Sequence, residues 1–597
     1  MPTLEFKGKP FVYSHHLSVP FRELIVDPKK SCPGGKKASL DDNLIIHGDN
    51  LEALKALLPR YAGKVDVIYI DPPYNTGNEG WAYNDAVNSP LMKQWLGKIV
   101  DRDDLERHDK WLCMMWPRLE LLRELLSPSG AIFASIEDTE QAALLEIMRE
   151  IFGNDRLLAT LPIVNNLKGR NDKGNFARAH EYVVAFANPQ FTLLGLPLTQ
   201  KQAAAFKHKD ERGELYAIRD MRKRGGADTR EERPNLFYPV YFNAEGFGAS
   251  LERTSKSAFK VLPMKSDGSE GCWKWGKEKA GANLSILSMS KGRQGSKGVG
   301  YRLYLNPDAQ PGGPDVLDDE DAWDEEAEEP IERVAKPKSF WWGPELSTDG
   351  AGKQLKAIMQ GAKDFSFEYP KPVALIERIV LMAAQKNGII LDSFAGSGTT
   401  AHAVLAANRR DGGSRKFILV ETEDYADTLT AERVRRIIKG VPKAKDEALK
   451  KGFDGSFTYC ELGDPIDLEK FFAGKGAPSY EQVARYVIFT ATGASVADLP
   501  KGPRADWFAG EAGGFRVHLV YKPDLAFMRG NDAALTREMA QTVSKAAKGK
   551  KSGGDKPVLV YAAQKFLSQK ELSELGITFC QLPYAVYRIL GDAPDAA

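Results

Sequence analysis

The chain has 597 residues, and its 82 Lys and Arg nearly balance 81 Asp and Glu for a formal net charge of +1, so length predicts about three or four domains of about 100–200 residues each. Five scattered cysteines, Cys32, Cys113, Cys272, Cys460 and Cys580, form no C-x-x-C pair, which excludes a disulfide framework and a zinc site of the usual spacing; no metal is expected. No signal peptide opens the chain and no apolar run approaches about 18 residues, which excludes a helical membrane span and predicts a cytoplasmic protein.

Residues 1–40 hold Pro, Gly and Lys with little periodicity and read as an N-terminal arm. From 41 to 164 strands and helices alternate: an apolar strand at 44–46, a helix at 51–58, a strand at 65–70, a helix at 112–126, a strand at 131–136 and a helix after Asp138. A run of βα units implies a mostly parallel sheet covered on both faces. The strand at 65–70 ends in Asp71-Pro72-Pro73-Tyr74, where α/β sheets place their chemistry. Two prolines are costly inside a sheet but suit a rigid loop beyond a strand end. The loop presents a carboxylate, carbonyls of fixed direction and an aromatic face. Those groups suit a planar base bearing an exocyclic amine, a poor nucleophile whose N–H bonds must be polarised. Asp71 can accept one amine hydrogen, the carbonyl of Pro72 the other, and Tyr74 can stack on the ring. A base inside a duplex cannot reach such a pocket, so base flipping is implied.

Residues 165–350 lack βα rhythm and exceed any plausible loop, so they predict an insert that folds apart from the core. Its charge is polarised. Lys201 to Arg233 is dense in base, including Arg222, Lys223 and Arg224, and Lys291 and Arg293 lie in a second cationic stretch. Ten carboxylates between Asp315 and Glu329 offset them in what reads as a solvated acidic linker. The insert is therefore expected to recognise double-stranded DNA, some basic side chains holding phosphates and others reading base edges.

The βα rhythm returns within 351–470. A strand at 389–392 runs into Phe394-Ala395-Gly396-Ser397-Gly398, then into a helix-like stretch from Ala401; a second strand at 416–420 ends at Glu421. Glycines at 396 and 398 let the backbone approach a nucleotide-like ligand, and Glu421 can accept from both hydroxyls of a ribose. This pattern alone also fits a dinucleotide such as NAD. S-adenosyl-L-methionine is favoured because Asp392 offers a carboxylate to a ligand ammonium, Phe394 can pack on an aliphatic chain, no hydride-transfer partner stands nearby, and the amine-polarising loop accompanies it. Residues 471–597 carry strands near 556–561 and 576–579 and a capping box at Ser568–Glu571, which predicts a small C-terminal α/β domain for dimer or partner contact.

Taken together, Asp71-Pro72-Pro73-Tyr74 early and Phe394-Ala395-Gly396-Ser397-Gly398 late resemble the β-class amino-methyltransferases of DNA. The resemblance implies a circularly permuted Rossmann-like core, with catalytic half 41–164 and cofactor half 351–470 flanking the insert. Leu44 to Asn50 resembles the family strand whose acidic end, Asp49 here, lies near the cofactor adenine, and Phe367-Glu368-Tyr369-Pro370-Lys371-Pro372 resembles a cofactor-side segment, placing Lys371 at the cofactor. The resemblance assigns catalysis to Asp71, Pro72, Pro73 and Tyr74, and cofactor contact to Asp49, Lys371, Asp392, Phe394, Ala395, Gly396, Gly398 and Glu421. Asp71-Pro72-Pro73-Tyr74-Asn75-Thr76-Gly77, Arg107-His108-Asp109-Lys110-Trp111 and Ala179-His180-Glu181-Tyr182 look like modification subunits of type III restriction systems. Lys168, Arg170 and His180 then lie on the path of DNA into the pocket. Asp before Pro-Pro-Tyr favours adenine over cytosine in that family. The expected function is a sequence-specific adenine-N6 methyltransferase working as a homodimer with a helicase-nuclease subunit. The alternatives are a solitary adenine methyltransferase, a methylase of another defence system, and a DNA-recognition module with little catalysis.

Overall fold

Ten strands align in one sheet whose middle is wholly parallel. The computed structural model describes residues 4–32, 38–76, 81–82, 99–100, 106–166, 168–169, 176–291, 297–306, 309–310, 334–362, 367–465, 478–496, 499–548 and 556–582. In chain order the strands are β1 (Arg22–Cys32), β2 (Leu44–His47), β3 (Val65–Ile70), β4 (Leu126–Ile136), β5 (Leu157–Val164), β6 (His180–Ala187), β7 (Trp341–Trp342), β8 (Ile389–Asp392), β9 (Lys416–Glu421) and β10 (Phe457–Pro465). Across the sheet they run β1-β10-β2-β9-β8-β3-β4-β6-β5-β7. The six from β10 to β4 are mutually parallel, whereas β1 and β6 run against their neighbours.

Parallel strands need crossovers, and the helices supply them. Helix α1 (Asn50–Tyr61) follows β2, α2 (Arg107–Leu125) and α3 (Asp138–Phe152) flank β4, α4 (Val373–Ala383) precedes β8, α5 (Thr399–Asp411) links β8 to β9, and α6 (Glu432–Lys439) follows β9. Burial on both faces explains the near-continuous apolar strands: β2, β3 and β8 keep Leu44, Ile45, Val67, Ile68, Ile390 and Leu391 fully buried. Asp66 ties two halves of the chain that are far apart in sequence, its Oδ2 accepting the backbone N–H of Ile389 at 2.8 Å. The adjacent strands β3 and β8 send their chains in opposite directions, β3 towards β4 and β8 towards β9. That makes the crevice at their carboxyl ends a topological switch point, where doubly wound sheets bind ligands.

Three expected boundaries move. The segment before residue 40 is no loose arm: β1 closes the sheet edge against β10, and Val12, Val19 and Phe21 are buried. Pro28 within β1 hid the strand from periodicity, and an edge is where a strand tolerates proline. The insert is shorter than 165–350, because β6 and β7 belong to the main sheet; the separate compact unit is 193–338. After 478 a four-stranded sheet does form, from Phe508–Ala512, Phe515–Leu519, Val558–Ala562 and Ile577–Gln581, and Ser568 and Glu571 make the expected capping box. Yet it is not a separate unit: helix α7 (Tyr480–Thr492) shares one hydrophobic core with α1 and α2, and Tyr486 packs edge-on against Phe21 with ring centroids 5.0 Å apart.

The 193–338 unit has its own aromatic core, with Trp273, Trp275, Tyr238 and Tyr301 buried. Its antiparallel sheet runs His208–Lys209, Leu215–Asp220, Lys297–Tyr304, Leu287–Lys291. Leu196–Pro197 and Val334–Ala335 pair where the chain enters and leaves, which anchors the insert at a two-stranded neck.

Candidate active site

The carboxyl ends of β3, β8, β9 and β2 present Asp71, Asp392, Glu421 and Asp49 along one edge of the sheet. Each strand is held at the edge by its neighbours. Gly48 donates its N–H to the carbonyl of Glu421 at 3.0 Å, and Ala395 donates to that of Val420 at 3.0 Å. Asn50, buried at the start of α1, donates to the carbonyl of Ser393 at 3.1 Å and accepts from Arg118 of α2 at 2.6 Å.

On the β8 side, the glycine loop wraps two buried carboxyls. Phe394 N–H donates to Asp392 Oδ1 at 3.0 Å and the Thr400 hydroxyl to Oδ2 at 2.5 Å. Gly396 N–H donates to Glu421 Oε2 at 2.6 Å and Glu423 N–H to Oε1 at 3.0 Å. Burial dominates those favourable bonds and pushes both carboxyls up to about 7. Among the described residues no Lys, Arg or His forms an ion pair with either one. Gly396 and Gly398 adopt φ of 50° and 76°. A Cβ at 398 would lie 3.1 Å from the carbonyl of Thr430, and one at 396 would lie 3.3 Å from the Phe367 ring. Beneath the loop Arg433, fully buried, donates to Ser397 Oγ and Thr399 Oγ1, both at 2.8 Å. These residues fit S-adenosylmethionine: a buried carboxylate for an ammonium, another for a ribose diol, and a bare backbone between them.

On the β3 side, the Asp71–Tyr74 loop is braced from below. Trp111 Nε1 donates to the carbonyl of Pro73 at 2.7 Å. Asn75, 1 % exposed and at a φ of 56°, donates to Glu140 Oε1 at 2.5 Å and to the carbonyl of Arg107 at 3.2 Å. His108 Nδ1 meets the same Glu140 oxygen at 2.6 Å. Asparagine tolerates left-handed backbone better than most residues, and this bonding holds it there. Asp71 keeps 26 % of its side-chain surface open to the pocket, yet it is packed deeply enough that burial raises its pKa; Lys371 opposes that rise and Glu181 adds to it.

Lys371 is the main departure from expectation. Its ammonium does not turn to Asp392 or Glu421 but stands 2.8 Å from Glu181 and 3.3 Å from Asp71, is bonded to the Tyr74 hydroxyl, and lies 4.7 Å from the Tyr74 ring centre. Glu181, 3 % exposed, also accepts from the Tyr74 hydroxyl at 3.1 Å. Asp49 is an N-cap, accepting from Leu51 and Glu52 N–H at 2.9 and 3.1 Å. One of its oxygens lies 3.7 Å from Arg118. His180 is exposed and meets the Tyr182 hydroxyl at 3.1 Å. Lys168 is exposed; Arg170, Arg293 and the side chain of Lys291 lie outside the described residues, as does the acidic run 315–329. Within the insert, Arg222 bridges to Trp273 through its backbone, Lys223 N–H donates to the carbonyl of Cys272 at 3.0 Å, and Arg224 pairs with Asp220 at 2.6 Å. Sequence reasoning passed over Glu181, Trp111, Asn75, Glu140 and Arg433. The first three sit inside motifs already marked by resemblance, which was the available signal.

The geometry agrees with comparison to known proteins. A family model described as DNA methylase matches residues 65–432. The chain belongs to the DNA methylase family. This methylase is 34 % identical over 463 residues to the Mod subunit of the type III restriction-modification enzyme EcoPI of Escherichia phage P1, covering 72 % of this chain and 67 % of that protein. It is 33 % identical over 379 residues to the type II methyltransferase M.KpnI of Klebsiella pneumoniae, covering 63 % and 80 %. It is 29 % identical over 464 residues to the StyLTI Mod subunit of Salmonella typhimurium, covering 73 % and 63 %. The methylase acts on DNA with S-adenosylmethionine as methyl donor. Among the described residues no helix is long and apolar enough to cross a membrane.

Proposed function

We propose that this methylase modifies the N6 amine of adenine within a specific duplex sequence, as the modification subunit of a type III restriction-modification system. The observation that carries the chemistry is the placement of Asp71 across the switch-point crevice from Asp392 and Glu421. The type III assignment rests on the Mod subunits among its relatives.

Each residue then has a task. Asp392 holds the ammonium of the donor, Glu421 its ribose hydroxyls, Phe394 its aliphatic part, and Gly396 and Gly398 allow close backbone approach. Asp49 and Ala395 complete the cofactor wall. When bound, S-adenosylmethionine supplies a methyl group on a sulfonium sulfur, which the amine lone pair takes as the carbon–sulfur bond breaks. Asp71 accepts one amine hydrogen and the carbonyl of Pro72 the other. Trp111 engages the next carbonyl, that of Pro73, and so fixes the loop. Tyr74 offers a ring to the flipped adenine while Lys371 holds its hydroxyl at the ring edge. Methyl transfer to nitrogen needs alignment more than a strong base. The surplus amine proton leaves towards Asp71, which already accepts one of the amine hydrogens.

The insert reads the sequence, with Arg222, Lys223, Arg224, Lys291 and Arg293 as its basic contacts and Lys168, Arg170 and His180 along the path to the pocket. A homodimer, a helicase-nuclease partner and a cytoplasmic location belong to the same reading. The likeness to M.KpnI, which extends over 80 % of that protein, favours a second one: a methyltransferase that works without a nuclease subunit. Purified protein incubated with labelled donor and duplex DNA is expected to label adenine, and single-molecule sequencing of DNA from expressing cells is expected to show one motif. No transfer by the wild type, or transfer to cytosine, sinks the adenine assignment. Copurification of a large ATP-dependent subunit separates the first reading from the second.

A further inference from the structure

Two carboxylates, the part-exposed Asp71 and the buried Glu181, compete for one ammonium, and they do not share it equally. Charge-assisted N–H···O bonds run about 2.7–2.9 Å. The Lys371–Glu181 distance of 2.8 Å is a full bond, whereas the 3.3 Å to Asp71 is stretched. Glu181 projects from β6, opposite Ile163 of β5 in the antiparallel register, and it also receives the Tyr74 hydroxyl. One carboxylate outside the catalytic tetrapeptide therefore fixes two of the groups that border Asp71.

We propose that Glu181 is a positioning residue for methyl transfer: it holds the Lys371 ammonium closer to itself than to Asp71, so that the Asp71 carboxylate keeps an oxygen open for the target amine. This rests on the reading of Asp71 as the amine acceptor. Without Glu181 the only carboxylate left to the ammonium is Asp71, and the incoming amine, a neutral donor, must compete with a cation for it. Without Lys371 the two carboxylates repel, one takes a proton, and a protonated Asp71 loses acceptor capacity. The pair works as a counter-charge that is near enough to keep Asp71 ionised and far enough to leave it open. The groups facing Asp71 are Lys371, Glu181 and Tyr74, with Tyr69 on β3 and Asp392 at the end of β8.

The test titrates Asp71 in the full chain without ligands, as the infrared carboxyl band that disappears in Asp71→Asn, and follows single-turnover methyl transfer against pH. In Glu181→Gln the Asp71 midpoint is expected to move down, because a like charge is gone and the ammonium closes in, while transfer slows by about 10- to 100-fold. Donor binding, measured by calorimetry, is expected to hold. In Lys371→Met the midpoint is expected to move up by about 1–3 pH units. Glu181→Asp keeps the charge and is expected to stay near the wild-type midpoint, which guards against misreading a folding defect. An unmoved or raised midpoint in Glu181→Gln overturns the proposal, as does an undiminished rate. If the wild type transfers no methyl at all, the functional reading falls, and the titration still decides whether Glu181 governs Asp71.

Discussion

Trp111 donates its indole N–H to the carbonyl oxygen of Pro73 at 2.7 Å, joining helix α2 to the catalytic loop. Trp111→Phe keeps the packing and leaves a part-buried carbonyl without its indole donor. The expected cost is about 1–3 kcal/mol of stability. Thermal unfolding should show that destabilisation, and methyl transfer should fall while calorimetric donor binding stays unchanged.

Asp71→Asn keeps the shape of the acceptor but removes its charge and offers donors where the amine needs an acceptor. Methyl transfer at saturating donor should drop by about 10²–10³-fold, the scale of removing one preorganised electrostatic interaction. Asp71→Ala should drop at least as far. A rate within about threefold of wild type for either would remove Asp71 from the mechanism.

Asp392 and Glu421 make the ligand-free fold sensitive to pH. Both are raised to about 7, from ordinary values of 3.8 and 4.5, with burial the largest cause. A raised carboxyl stays neutral in the fold while it ionises in the unfolded chain. Its contribution is complete below about pH 4, falls as pH rises towards 7, and is gone above that. The melting temperature should therefore decline from about pH 4 to about pH 7, and less steeply in Asp392→Asn. Binding the donor ammonium favours ionised Asp392, so calorimetry near about pH 6.5 in buffers of different ionisation enthalpy should detect proton release.

Gly398 combines a φ of 76° with a Cβ position 3.1 Å from the carbonyl of Thr430. Gly398→Ala should cost about 1–3 kcal/mol through backbone strain alone. Because the strained residue lies in the cofactor loop, donor affinity should weaken as well. Chemical denaturation and calorimetry on the same sample would measure both; an unchanged affinity would detach residue 398 from the cofactor.

Arg222 and Lys223 lie just past the strand Leu215–Asp220 of the insert, their backbones held by Trp273 and Cys272. If both hold phosphates, the double substitution to Ala should reduce the slope of log affinity against log salt by about 0.9 for each phosphate left without its cation. An unchanged slope would mean that other cations of the insert hold the phosphates. Arg224 is already paired with Asp220 at an exposed site, so its single replacement should matter less.

Local patterns were legible from the sequence by itself because their physics is local. An apolar run that ends in Asp71-Pro72-Pro73-Tyr74 and a strand that opens into Gly396 and Gly398 carry their meaning within a few residues, and their order along the chain announced the permuted sheet. The edge strand β1 was hidden by Pro28, and the limits of the insert were hidden because β6 runs antiparallel and breaks the βα rhythm.

The amino-acid sequence alone determined which groups this protein carries: a carboxylate at a strand end before two prolines and a tyrosine, a bare glycine loop and an insert with dense basic stretches. Only the tertiary structure decided how Asp71 is held. Tyr74 meets Glu181 across 107 positions and Lys371 across 297, and Lys371 turns to that pair rather than to the cofactor carboxyls. No periodicity or spacing rule spans such separations. They are set by which strands lie side by side, and by buried charges having to find partners once water is excluded.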